Sequence, residues 1–413
     1  MEGARPVNIR PYRYSPKLKT EIERQIGEML QSGVISPSTS AFASPIIMVK
    51  KKEPVSDMVG EDTDTPASWR LCVDYRNLNL LTLKTKYPLP VIDELLDELS
   101  SSSWFSKLDL RAGYHQIRLA PGEEFKTAFH SHSGHYQFNV MAFGFAGAPA
   151  TFQAVMNETL APVLRKCAVV FFDDILVYSR TFQEHLLHLA QVLHLLQHHQ
   201  WKVKPSKCSF AQSSVSYLGY TVTEQGVATD PQKIRDVQKW PVPTYVKELR
   251  GFLGLSGYYR KFVQHYGMIS QPLTNLLRKH VPFVWSTEAA TAFSHLKKSL
   301  VTAPVLALPY FSMHFEIETD ACDSGVGDVL IQDGHPLAYF SRGLGPRTRG
   351  LSTYEKEHMA ILLAVEQWRS YLQHAEFWIH TPQPNPINRA ASSYILATEG
   401  VYKITWLTVL YQV

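Results

Sequence analysis

No run of eighteen apolar residues occurs anywhere in the 413-residue chain, so a membrane-spanning helix is not expected. The start, Met1-Glu2-Gly3-Ala4-Arg5, has no apolar stretch behind it, and no secretory signal is expected either. Cysteine is scarce: Cys72, Cys167, Cys208 and Cys322 form no short-spaced pair, which argues against a disulfide framework and a cysteine zinc site and favours a reduced intracellular compartment. Charge of one sign is also lacking. Lys plus Arg number 41 against 37 acids, and a net +4 leaves room only for a local basic surface. Charged residues make up 19% of the chain while apolar residues make up 45% and aromatics 12%, far from a disordered composition. No fixed-period repeat and no long low-complexity tract is present, and no aspartate follows Asp333. The length calls for two to four domains.

The segment to Thr20 reads as an extended, basic, Pro/Tyr-rich arm, followed by a helix over 21–31 that stops at Gly33. Strands are expected over 45–49 and 69–73. The 53–68 segment between them holds five acids, no base and two prolines, and reads as a mobile loop. A helix over 91–99, a strand over 105–110 and a helix over 148–164 follow. The apolar runs 169–172 and 175–178 flank Asp173-Asp174 as a tight hairpin. The spacing predicts an amphipathic helix over 182–199 with Leu186, Leu189, Leu193 and Leu196 on one face, a strand over 215–222 and a helix over 247–262. Prolines 272, 282, 304 and 309 suggest an irregular connection. A further domain is expected from about residue 312, opening with an alternating strand at Phe315, a Gly-rich turn at 325–327 and a helix over 353–371.

Three acids stand where structure alone favours another residue. Asp173 and Asp174 sit side by side in a turn that prefers Asn-Gly or Asp-Gly, and their mutual repulsion is what a divalent cation relieves. Asp109 closes the apolar strand Phe105–Leu110 just before Gly113 and Tyr114. Aspartates from separate strands converging under a nucleic acid are the requirement of two-metal phosphoryl transfer. The competing readings are an acidic surface turn and a strand-ending aspartate.

The sequence resembles the reverse transcriptases of Ty3/gypsy-type long-terminal-repeat retrotransposons. The resemblance rests on RPYRYSP (10–16), GVISPSTSAFASP (33–45), WRLCVDYRNLN (69–79), FSKLDLRAGYHQI (105–117), NVMAFGFAGAPATFQ (139–153), FFDDILVYS (171–179), KCSFAQSSVSYLGY (207–220) and GFLGLSGYYRKF (251–262), in the family's order over some 300 residues. It implies an α+β multidomain fold, a right-hand polymerase with a connection and a truncated ribonuclease H-like domain. The implied boundaries are an arm and helix at 1–35, fingers and palm at 36–235, a thumb at 236–270, a connection at 271–311 and a ribonuclease H-like domain at 312–413 that diverges after 381. It implies that Asp109, Asp173 and Asp174 hold two Mg²⁺, with Mn²⁺ as the alternative. It further implies that Lys51 and Arg70 reach the incoming deoxynucleoside triphosphate, that Tyr114 tests for a 2′-hydroxyl and that Phe143 and Gly144 line the nucleotide pocket. Tyr217, Leu218, Gly219 and Tyr220 would hold the primer end, and the basic stretch 247–261 would track phosphates. RNA template and DNA primer are the implied partners. The cytoplasm, in the element's particles, is the implied location, with the nucleus as the alternative.

The sequence departs from that pattern in several places. The acidic segment 53–68 falls between Lys51 and Arg70, and Ala142 and Phe145 replace a more usual Pro and Leu. Phe172 is bulkier than usual. In the ribonuclease H-like part Asp320 and Glu357, or Glu355 in its place, match, while Pro382 stands where an aspartate is required, and Asp328 strains an apolar strand. Little or no ribonuclease H activity is therefore expected, and the 382–413 tail reads as a shifted frame or mispredicted exon. The chain reads as a fragment of a larger polyprotein or a truncated copy. The histidines at 185, 188, 194, 198 and 199 read as a solvated helix face, and so do Asp93-Glu94 and Asp97-Glu98. A folded, nucleic-acid-binding remnant without catalysis is the alternative function.

Overall fold

The computed structural model describes residues 5–50, 69–83, 86–345, 348, 350–373, 376–381, 397–398 and 401–404. Lys51, the acidic segment 53–68 and Pro382 lie outside them. The chain divides into two compact units: residues 1–91, 106–178 and 183–210 form the first, and residues 92–105, 179–182 and 211–413 the second.

In the first unit, β1 (Ile35–Pro37), β2 (Ser44–Lys50), β3 (Trp69–Val73), β5 (Phe129–His130) and β6 (His135–Phe138) form a sheet of order β1-β6-β5-β2-β3. Helix α1 (Pro16–Gln31) starts earlier than the periodicity suggests, because Pro16 has its missing N–H at the first helical position. It ends as expected, with Gly33 at φ +67°. Ile22 and Ile26 of α1 pack with Ile35, Ile46, Tyr75, Phe129 and Phe138. Ala142 is buried in the same cluster and Phe145 packs on Tyr75 with ring centroids 4.3 Å apart, so both departures are accommodated.

A second sheet has order β7-β8-β4-β9, from β4 (Trp104–Asp109), β7 (Ala168–Phe171), β8 (Asp174–Ser179) and β9 (Ser209–Gln212). Helix α4 (Ala148–Leu160) covers it with Phe152, Met156 and Leu160, spaced four apart on one face, and α5 (Phe182–His198) adds Val192 and Leu196. The buried face of α5 is rotated from the expected one. Leu186 is half exposed, while His185 is fully buried with its Nε2 2.7 Å from the Ser106 hydroxyl of β4.

In the second unit the expected 215–222 strand is a hairpin, β10 (Ser214–Tyr217) and β11 (Tyr220–Thr223), joined on to β12 (Gly226–Thr229). Helix α7 (Val246–Tyr258) lies in the basic stretch. The supposedly irregular connection contains α10 (Thr287–Val301), capped by the Ser286 hydroxyl and packed on α6 (Pro231–Gln238). The last sheet has order β15-β14-β13-β16-β18-β17, from β13 (Phe315–Ala321), β14 (Gly325–Gln332), β15 (His335–Gly343), β16 (Phe377–His380), β17 (Ala397–Thr398) and β18 (Val401–Ile404). Parallel β16 lies beside β13, and α11 (Thr353–Gln367) lays Ile361, Ala364 and Val365 against Phe315, Ile317 and Leu330. Gly325 and Gly327 are strand residues, not a turn. Added Cβ atoms would lie 2.4 Å from Met268 and His265, so the glycines allow that close approach.

Candidate active site

The hairpin is shifted by one residue from its expected form. Phe171 and Asp174 are paired, so Phe172 and Asp173 are the two turn residues and Asp174 opens β8. Phe172 adopts φ +52°, a left-handed conformation that costs a non-glycine residue about 1 kcal/mol. Helix α4 holds it there: the Phe172 N–H donates to Gln153 Oε1 at 2.8 Å, and Gln153 Nε2 donates to the Val170 carbonyl at 3.2 Å and to Asn157 Oδ1 at 2.8 Å.

Asp109 ends β4, the neighbour of β8, so the three aspartates come together at one sheet end. Burial raises the Asp173 pKa, and the negative charges of Asp174 and Asp109 raise it further, with Lys207 opposing. Two lysines face the cluster: Lys107 Nζ lies 3.0 Å from Asp174 Oδ1 and Lys207 Nζ 3.2 Å from Asp109 Oδ2. Among the described residues no three acidic, His or Cys side chains are gathered closely enough to hold a metal ion. The donor set still fits Mg²⁺, since all three ligands are hard carboxylate oxygens whose repulsion an ion relieves.

Tyr114 follows on a short 3-10 turn (Gly113–Gln116) and stacks on Phe152, 4.8 Å and 20° between rings, and against Phe143 at 4.7 Å. A Cβ on Gly113 would meet the Phe152 ring at 3.0 Å and Asp173 Cβ at 3.4 Å, so this turn sits directly on the aspartate hairpin. Burial and then the Asp173 charge raise the Tyr114 hydroxyl pKa. Phe143 is 52% exposed beside it, and Gly144 has φ +99°. Asn79 braces this loop through the Gly144 carbonyl at 2.8 Å and the Ala146 N–H at 2.9 Å. Arg70 is exposed on β3.

In the second unit, Tyr217 and Tyr220 are paired across a turn whose centre, Leu218 at φ +48° and Gly219 at φ +78°, is left-handed at both positions. The Tyr258 and Tyr259 hydroxyls donate to the Leu218 and Gly219 carbonyls, each at 2.6 Å. Tyr220 stacks on Tyr258 with centroids 5.2 Å apart, and Lys261 lies 5.0 Å over the Tyr220 ring while paired with Asp93 at 2.6 Å.

Asp320 is exposed near the end of β13. Glu357, on the first turns of α11, is 3% exposed and accepts from the Thr381 hydroxyl at 3.4 Å. Burial raises its pKa, and Asp320 adds to the shift. Glu355 is otherwise engaged, closing a capping box with Ser352. Asp328 joins this group, buried on β14.

Residues 49–222 match the reverse transcriptase (RNA-dependent DNA polymerase) family, and residues 285–379 match the RNase H-like domain found in reverse transcriptase. The chain carries a reverse transcriptase domain. Its relatives include the retrovirus-related Pol polyprotein from transposon 297 of Drosophila melanogaster, 38% identical over 91% of this chain and 35% of that polyprotein. The transposon Tf2-3 polyprotein of Schizosaccharomyces pombe is 35% identical over 92% of this chain and 28% of its own length. The chain thus spans about a third of the length of these relatives. The foamy viral protease-reverse transcriptase in complex with dsDNA superposes with TM-score 0.83 at 22% identity, over 100% of this chain and 84% of that one. The same protein with an RNA/DNA hybrid gives 0.78 over 93% and 50%.

Within the reverse transcriptase domain the motifs left Gln153, Asn79, Lys107 and Lys207 without a role. All four lie inside quoted motifs, and a glutamine on an otherwise apolar helix face was the signal for Gln153. No periodicity points to Asn79 or Lys107.

Proposed function

We propose that the chain is the RNA-directed DNA polymerase of a retrotransposon, extending a primer 3′-hydroxyl with deoxynucleoside triphosphates, and that its ribonuclease H-like domain does not cleave. The observation that carries this reading is the convergence of Asp109, Asp173 and Asp174 at the ends of β4 and β8, beside Tyr114 and the half-exposed Phe143. Two Mg²⁺ held by these aspartates would supply charge stabilisation for the attacking and leaving oxygens. The three aspartates would hold these ions through their carboxylate oxygens. Lys107 and Lys207 balance the carboxylates' charge. Arg70 and Lys51 neutralise triphosphate oxygens, Phe143 and Gly144 shape the nucleotide pocket, and the Tyr114 ring, fixed between Phe143 and Phe152, excludes a 2′-hydroxyl. The clamped turn Tyr217–Tyr220 holds the primer end, while Lys247, Arg250 and Arg260 meet backbone phosphates without reading sequence. The reaction belongs in the element's cytoplasmic particles.

A second reading, a nucleic-acid-binding remnant, is favoured by the five acids between Lys51 and Arg70. Primer extension on a primed RNA template with Mg²⁺ separates the two. We expect extension by the wild type and none by Asp173→Asn; template binding without extension by either protein supports the remnant.

A further inference from the structure

The basic stretch 247–261 carries four cations, and three of them, Lys247, Arg250 and Arg260, are exposed. Lys261 differs: its side chain is 22% exposed and its ammonium is engaged twice. Nζ lies 2.6 Å from Oδ1 of Asp93, on helix α3 (Ile92–Asp97). It also stands 5.0 Å from the centre of the Tyr220 ring and 5.8 Å from that of Phe262. Tyr220 is buried; it stacks on Tyr258 at 5.2 Å and on Phe262 at 5.8 Å, and meets Tyr259 edge-on at 5.7 Å. Burial and Tyr258 raise the Tyr220 hydroxyl pKa and the Asp93 charge adds to it, so one carboxylate stands near both the ammonium and that hydroxyl. The turn that Tyr220 closes is strained, because Leu218 holds a left-handed φ of +48° that its surroundings must impose. The Tyr258 and Tyr259 hydroxyls supply part of that constraint through the Leu218 and Gly219 carbonyls. Lys261 supplies a link to a second element, since α3 is anchored by buried Leu96 and by the Tyr371 hydroxyl on Asp97, and leads along the chain into β4.

We propose that Lys261 is a positioning residue that makes no phosphate contact: it straps the Tyr217–Tyr220 turn to α3 through Asp93 on one hand and the Tyr220 ring on the other. Neighbourhood in the sequence groups Lys261 with the phosphate-facing cations, and its contacts separate it from them. A lysine already neutralised by an aspartate adds nothing to the counterion release that drives backbone binding, and it would have to abandon Asp93 to reach a phosphate. Held where it is, it keeps the turn in one shape without entering the chemistry. For its effect on catalysis the strap rests on the polymerase reading; its effects on the turn and on salt dependence do not.

The test compares the full chain with Lys261→Met, which keeps the stem over the rings and removes the charge, Lys261→Arg, which keeps the charge, and Asp93→Asn, which cuts the strap from the α3 side. Hydrogen exchange without nucleic acid should run about threefold or more faster across 217–220 in Lys261→Met and Asp93→Asn, and at the wild-type rate in Lys261→Arg. Binding to a primed template, titrated with salt, should keep its slope of log K against log[salt] in Lys261→Met, whereas Asp93→Asn frees the ammonium and steepens the slope by up to about one. In primer extension, Lys261→Met should lose about threefold or more in kcat with KM for the primed template little changed, and Lys261→Arg should restore it. Exchange and salt slope are read without catalysis, so a wild type that fails to extend counts against the polymerase reading and leaves both decisive for the strap. A slope lowered by about one in Lys261→Met makes Lys261 a phosphate contact, and unchanged exchange of the turn in Lys261→Met and Asp93→Asn shows that nothing is strapped; either result overturns the proposal.

Discussion

At the scale of single residues, the geometry of Asp173 depends on a glutamine that touches no reacting group. Phe172 holds a left-handed φ of +52°, and its N–H is satisfied only through Gln153, which is fully buried. Gln153→Met keeps the length of the side chain and removes every polar contact. It should destabilise the protein by about 1–3 kcal/mol through the orphaned Phe172 N–H and Val170 carbonyl. Primer extension should lose turnover about tenfold or more, because the aspartate hairpin is no longer fixed, while primer–template affinity stays near the wild-type value. A urea titration and a kcat measurement check both halves; unchanged turnover in a destabilised protein would leave Gln153 a purely structural residue. The sequence made the aspartates conspicuous because acids interrupt an apolar hairpin. It placed the turn one residue late because Phe172 reads as strand, and only its positive φ shows otherwise. His185 was hidden for a similar reason: helical spacing places it beside Leu186 and Leu189, and the Ser106 hydroxyl that makes its burial acceptable lies 79 residues away.

Between elements, the short helix α3 (Ile92–Asp97) is tied to the segment after α11 by one hydrogen bond, from the Tyr371 hydroxyl to Asp97 Oδ2 at 2.7 Å. Burial raises the Asp97 pKa to about 7, against the opposing pull of Tyr371 and Lys261. The folded protein thus keeps a proton that the unfolded chain gives up near pH 4. Stability from this group is complete below about pH 4, declines as pH rises from 4 to 7, and is gone above 7. Asp97→Asn stays neutral throughout and still accepts from Tyr371. It should raise Tm by several degrees at pH 8 and leave it nearly unchanged at pH 4, and equal shifts at both pH values would refute this account. Six residues of helix are too few for periodicity to reveal that Asp97 is half-buried, and Tyr371 is 274 residues distant, so the sequence suggested an exposed acidic face. Elements with strong local signals, such as α1, the β2–β3 pair and β13, were legible from composition and alternation. Helix α10 was obscured by prolines on both sides, and β14 by two glycines whose purpose is the close approach of Met268 and His265.

At the scale of the whole chain, the two carboxylate sets differ, and the difference was legible from sequence alone because ordered motifs carry it. The aspartates of β4 and the β7–β8 turn are all present, whereas the RNase H-like domain has Asp320 and Glu357 but no aspartate after Asp333. Thr381 escaped notice as a neighbour of Glu357, since only the packing of α11 on the sheet brings its hydroxyl there. Cleavage of the RNA strand of a hybrid needs carboxylates on both sides of the scissile phosphate to place attacking and leaving oxygens. The unmodified chain should therefore extend primers on RNA with no detectable hybrid cleavage in Mg²⁺ or Mn²⁺. Pro382→Asp, which places a carboxylate directly after Thr381, should bring cleavage above background without changing extension. Metal-dependent cleavage by the unmodified chain, abolished by Glu357→Gln, would overturn this expectation, and the domain would then have to be counted as a nuclease.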